Sequence, residues 1–217
     1  MTSEVYLVVK VHRMAMKIGR ALHMAWLKIA PPGEPKAPGG KLLLHIGCGH
    51  VHRKYFYNID ARPMAHVHLV TEDLFSLEKF ETNSADLVYM SHLFEHVKRQ
   101  NQKEVLAEMY RVLKPGGILR LGVPDFDRLL EIYYDNDKNP DAIQQPLMGN
   151  QDYEYNMHYA IFTVESLTKL LKEAGFSEVR EWEPDKVDFH DFEDRASMPH
   201  TYKGKVYYFS LNLEAVK

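Results

Sequence analysis

The sequence predicts an α/β fold in three layers, with helices on both faces of an open, mostly parallel sheet. Three observations support this. Short apolar runs alternate along the chain with amphipathic stretches of helical period. The first clear run, Leu42–Ile46, is apolar enough for a strand buried on both faces. That run stops in Gly47-Cys48-Gly49, a turn without side-chain bulk at the place where such sheets bind their ligands.

The chain has 217 residues, 45% apolar and 26% charged, enough to bury a core of ordinary size. A formal net charge of −3 gives no field favouring nucleic acid. A single cysteine, Cys48, rules out an internal disulfide and fits a reducing, cytoplasmic setting. No apolar stretch is long enough to span a bilayer.

Residues 1–40 read as a leading helix followed by a Pro/Gly linker. Val8, Val11, Ala15, Ile18, Leu22, Ala25 and Ile29 recur at helical spacing, and Lys10, Arg13, Lys17 and Arg20 form a second, basic stripe. The spacing predicts a helix packed on the domain with its basic side in water. The alternatives are a helix lying on an anionic membrane surface or meeting an anionic substrate, and a targeting peptide. Pro31-Pro32-Gly33 ends it.

Residues 41–217 form the main domain. After Leu42–Ile46, the expected strands are Tyr55–Ile59, His66–Val70 and Asp86–Met90. A helix over 99–113 follows, with Val105, Leu106, Met109, Val112 and Leu113 inward. Lys114-Pro115-Gly116-Gly117 is a turn before a fifth strand, Ile118–Val123. Asp125 or Asp127 caps a helix through about Tyr134. Residues 135–157 read as a long polar loop, part of an acceptor-side insertion over about 135–162. Thr163 caps a helix that Gly175 stops. Glu178–Trp182 and Val206–Leu213 are the last strands, flanking a polar stretch that leaves His190 and His200 in water.

The turn after the first strand selects a ligand. A dinucleotide grip needs a third glycine at position 52, where His52 stands, and only eleven residues separate Gly49 from Asp60. Asp60, ending the second strand, can accept both hydroxyls of a ribose. Asp73, after the third strand, can read an adenine edge. A ribose and an adenine without a diphosphate describe a nucleoside.

The ordered motifs LLLHIGCG, NIDA, ADLVYMSHLFEHV and RVLKPGGILRLGVPD resemble those of class I S-adenosylmethionine-dependent methyltransferases, nearest to the type 11 group in a branch with a shortened first crossover. The resemblance covers about residues 40–183. In that branch a motif H-x-W-M-Y-D-x-E-S-L precedes the late helix. Here His158, Glu165, Ser166 and Leu167 match it, while Ala160 replaces Trp and Thr163 replaces Asp.

The resemblance implies a Rossmann-like sheet of order 3-2-1-4-5-7-6 with the seventh strand antiparallel, and S-adenosylmethionine as cofactor. It implies cofactor contacts from Gly47, Gly49, Asp60, Asp73, Leu74, Ser91 and His92, with His45, Cys48 and Ala61 beside them on the same turns. Cys48 itself is read as turn filler. The expected reaction is methyl transfer to a small-molecule or saccharide acceptor, on oxygen; the alternative is a non-catalytic S-adenosylmethionine sensor or scaffold. His92, His158 and Asp125 are the candidate catalytic residues. His92 and His96, four apart around Glu95, also have the spacing of a metal pair, but no further ligand is placed by the sequence and no metal is expected.

Overall fold

The structure is a computed structural model that describes residues 14–15, 18–19, 21–22, 24–26, 29–152 and 156–217. Seven strands form one sheet: β1 (Leu43–Ile46), β2 (Tyr57–Asp60), β3 (Leu69–Val70), β4 (Ala85–Ser91), β5 (Leu113–Pro124), β6 (Glu178–Glu181) and β9 (Ser210–Val216). Their order is β3-β2-β1-β4-β5-β9-β6, the order that the resemblance implies with β9 as the inserted last strand. β1 pairs parallel with both β2 and β4, whereas β9 runs antiparallel to β5 and β6. A second, two-stranded sheet joins β7 (His200–Tyr202) and β8 (Lys205–Tyr207).

Side chains alternate across the sheet, as period-two geometry requires. Leu44, Ile46, Val88 and Met90 face one layer. Against them pack Leu106, Met109 and Val112 of helix α1 (Gln102–Val112), and Leu167 and Leu171 of helix α4 (Val164–Glu173). Leu43, Leu87 and Tyr89 face the other side, where Phe56, Trp182, Phe192 and Ala196 cover them. Helices α2 (Phe126–Asp135) and α3 (Gln144–Met148) meet in a smaller core around Leu129, Ile132 and Phe209.

Several expected boundaries shift. β3 holds only Leu69–Val70, because the rings of His66 and His68 turn to backbone partners at Gly49 and Asn58. Lys114–Gly117 loops out within β5, which already pairs at Leu113 with Ala85 and resumes at Ile118 opposite Leu87. The region 135–157 is less open than expected: it contains a 3-10 turn at Pro140–Ala142 and helix α3. Val206–Leu213 is not one strand. The chain turns between β8 and β9, and Phe209 plugs the core beside α2. His190 is buried rather than solvated, packed 4.4 Å from the Phe192 ring.

The described positions from 14 to 29 are helical, but Ala15, Ile18, Leu22, Ala25 and Ile29 are exposed, so that stripe does not pack inward as expected. Val8, Val11 and the basic residues Lys10, Arg13, Lys17 and Arg20 lie outside the described residues. Among the described residues, no helix is long and apolar enough to cross a membrane.

Candidate functional site

The site forms at the carboxyl end of β1, between the exits of β2 and β4. There strand order reverses and the loops diverge, opening a crevice. Gly47 leaves β1 with φ +66°, a backbone that L side chains rarely adopt. A Cβ there would also stand 3.0 Å from both Leu93 methyl carbons. The Gly47 and Cys48 amides donate to the Ile59 carbonyl at 2.8 and 3.2 Å, holding the turn against β2.

Gly49, at φ +53°, donates its amide to Asp60 Oδ2 at 2.8 Å. The other oxygen of Asp60 accepts from the Arg62 amide at 2.8 Å and Arg62 Nε at 3.2 Å. Asp60 therefore ties the β1 turn to the β2 exit from a nearly buried position. Cys48 is buried beneath this turn. Burial, reinforced by the charge of Asp60, pushes its thiol far above the usual range, so it is no nucleophile.

A cavity of about 600 Å³ opens on the turn. His45, Gly47, Cys48, Gly49, Ser91 and His92 all line it, together with His158 from the loop before α4. His45 packs between the Phe56 and Tyr89 rings, and burial lowers its pKa to about 4. Its Nδ1 and the Ser91 hydroxyl have no hydrogen-bond partner among the described residues.

Asp73 and Leu74 line a separate cavity with Leu93, and His96 borders both. Asp73 accepts from the Phe75 and Ser76 amides, each at 3.2 Å, and so shapes its own turn. Ala61 is half-buried beside Asp60 and lines neither cavity. Asp125 follows Pro124, which lines the cavity, but does not line it itself. Its carboxylate caps α2 through the Asp127 amide and pairs with Arg128 at 3.2 Å.

The residue whose importance the sequence reading missed is Glu95. It lies in a 3-10 turn after β4 and is fully buried. Burial raises its pKa to about 8. His92 Nδ1 is 3.5 Å and His158 Nε2 is 3.9 Å from Glu95 Oε1. Burial lowers His92 to about 3 and His158 to about 4, so both rings are neutral at pH 7. The one signal in the sequence was the clustering His92-x-x-Glu95-His96.

His92 is held at φ +47°. Its amide donates to the Gly122 carbonyl at 2.7 Å, and its Nε2 lies 3.0 Å from Ser210 Oγ. Ser210 spends its own hydrogen on Asn212 Oδ1, so His92 Nε2 carries the donated proton and Nδ1 is left as a lone pair.

A model of the methyltransferase domain family matches residues 44–121. A search of the curated proteins found no match. Among solved structures, a SAM-dependent methyltransferase from Archaeoglobus fulgidus is 13% identical, with 95% of this chain and 99% of that one covered and a TM-score of 0.52. A SAM-dependent methyltransferase from Thermotoga maritima is 18% identical over 96% of each chain, with a TM-score of 0.50. One from Methanosarcina mazei is 19% identical over 81% and 92%, also with a TM-score of 0.50. At these identities the likeness establishes the fold.

Proposed function

We propose that this chain, which has the fold of class I S-adenosylmethionine-dependent methyltransferases and matches a methyltransferase domain model over residues 44–121, methylates a hydroxyl group of a small polar acceptor, such as a saccharide. When bound, S-adenosylmethionine supplies a methyl group on a positively charged sulfur, which leaves as a neutral thioether.

The residues present fit that cofactor. Gly47 and Gly49 leave the β1 turn without side chains where a ligand must come close. The unpartnered Ser91 hydroxyl and His45 Nδ1 offer polar contacts to an amino-acid group. Asp60 fixes the turn, and its oxygens keep lone pairs for a ribose hydroxyl.

The observation that carries the reading is that this turn and the His92–Glu95–His158 group share one cavity. Alignment and exclusion of water supply much of the rate in such transfers. A hydroxyl acceptor also has a proton to lose. His92, neutral and with an unprotonated Nδ1 beside Glu95, takes that proton as the acceptor oxygen bonds to the methyl carbon and the sulfur–carbon bond breaks. His158, on the opposite loop with Nε2 3.9 Å from Glu95, closes that side of the cavity. Gln145, Asn150, Asn156, Glu193 and Arg195 give the rest of the cavity the dense hydrogen-bonding wall that suits a polyhydroxylated molecule.

The test is turnover with methyl-labelled S-adenosylmethionine against a fractionated small-molecule extract. The expected result is a protein-dependent product heavier by one labelled methyl group, with its formation strongly reduced in His92→Ala. Cofactor binding without any methylated product would overturn the enzymatic reading in favour of a sensor or scaffold.

A further inference from the structure

Glu95 is fully buried, and neither of its carboxylate oxygens has a hydrogen-bond partner among the described residues. An ionised carboxylate in that state costs several kcal/mol unless something positive stands beside it. The surrounding rings do not supply a proton. A carbonyl can only accept, so His158 Nδ1, 3.0 Å from the Pro146 carbonyl, carries the ring proton. Its Nε2 then faces Glu95 as a lone pair. His96 Nδ1 donates in the same way to the Met157 carbonyl at 2.9 Å, leaving Nε2 unprotonated. His92 presents Nδ1 as a lone pair for the reason given above. Several lone pairs and a buried carboxyl group thus share one small volume.

We propose that Glu95, His96 and His158 bind one divalent first-row transition ion, zinc foremost, on the acceptor wall of the cleft. One ligand atom from each of the three residues lies within 4.8 Å of the others. Metal–ligand bonds of ~2.0–2.1 Å place neighbouring ligands of a tetrahedral ion about 3.3 Å apart, so loading asks for a contraction that side-chain rotation provides. Imidazole donors favour zinc, iron or nickel over magnesium and calcium, which prefer oxygen. The carbonyl bonds from Pro146 and Met157 orient the rings from behind, as partners of metal-bound histidines do.

Two histidines and one glutamate leave a fourth position open, and all three residues line the cavity. An acceptor hydroxyl bound there would be more acidic, with its proton passing to His92. That use rests on the methyl-transfer reading; ion binding itself does not. The site departs from the metal-free expectation drawn from the sequence, where the distance in sequence from Glu95 to His158 hid the third ligand.

The experiment uses the full chain without an affinity tag, stripped by a chelator and then titrated with zinc chloride by calorimetry and with cobalt chloride by visible absorption. The expected result is one ion per chain and the intense bands of tetrahedral cobalt. Glu95→Gln and His158→Gln should each weaken zinc binding about 100-fold or more, while His200→Gln, outside the cluster, leaves it unchanged. Should those variants not fold, the wild-type stoichiometry and cobalt spectrum decide alone. No stoichiometric binding, an octahedral cobalt spectrum, or equal affinity in folded variants would overturn the proposal. Titration of S-adenosylhomocysteine on stripped and loaded protein separates this result from the cofactor reading, because the nucleoside site does not use these ligands.

Discussion

Replacing Asp60 by asparagine isolates what its carboxylate does. Asp60 accepts from Gly49 on one oxygen and from Arg62 on the other. Asparagine has one acceptor oxygen, so one of these turns keeps its bond and the other meets an amide NH2. Retaining the Arg62 bonds leaves the Gly49 amide facing a donor, and the β1 turn loses its tie. The bond at stake joins an amide to a charged, nearly buried carboxylate, which is worth about 1.5–3 kcal/mol. The tie is intramolecular, so its loss lowers folding stability by that amount and reaches ligand affinity through the loosened turn, by at most about 10- to 150-fold at 1.4 kcal/mol per decade. Asp60→Ala removes both ties and any ribose contact, so affinity falls at least as far. Calorimetric titration of S-adenosylhomocysteine into each variant measures the loss, and circular dichroism confirms that each is folded. Unchanged affinity in a folded Asp60→Asn protein would refute the role assigned to this carboxylate.

Other outcomes follow from the same structure. Gly47→Ala forces a left-handed backbone costing about 1–2 kcal/mol and crowds the Leu93 methyls, so thermal denaturation should shift down by roughly 2–8 °C. Adding Leu93→Ala should restore little, because backbone strain dominates. Glu214→Gln weakens a buried pair in which Arg120 donates Nε and Nη2 at 2.8 and 2.7 Å; urea denaturation should show about 3–5 kcal/mol lost. His45 titrates near pH 4 in the fold and near 6.5 when unfolded, because burial disfavours its charged form. Its contribution is therefore complete above pH 6.5 and declines as pH falls toward 4, by about 3 kcal/mol. Denaturant melts across that range should be visibly flatter in His45→Gln.

The strands around the site were legible because each is a short, nearly continuous apolar run, and Gly47, Gly49 and Asp60 mark their ends in a fixed order. Packing that joins distant residues was not. The aromatic layer of Trp182, His190 and Phe192 comes from a stretch whose polar residues hide its buried rings, among them the Tyr89 hydroxyl's partner Asp194 at 2.6 Å. Asp125 reads in the sequence both as a catalytic candidate and as a helix cap, and the structure shows the cap, with its side chain accepting from the Asp127 amide. Asp73 was placed beside the cofactor from its rank in the chain; in the structure it lines a cavity that adjoins the one on the β1 turn, with His96 bordering both. Glu95 stood in the sequence only as the residue between His92 and His96, with no role of its own; burial without a partner gives it meaning.

We propose that the cleft at the end of β1 receives an adenosyl sulfur compound and not a dinucleotide. Parallel calorimetric titrations of the wild-type chain with S-adenosylhomocysteine and with NADH test it most directly. The structure predicts saturable one-to-one binding of S-adenosylhomocysteine, with a raised melting temperature, and no heat from NADH. Binding of NADH with none of S-adenosylhomocysteine would contradict it.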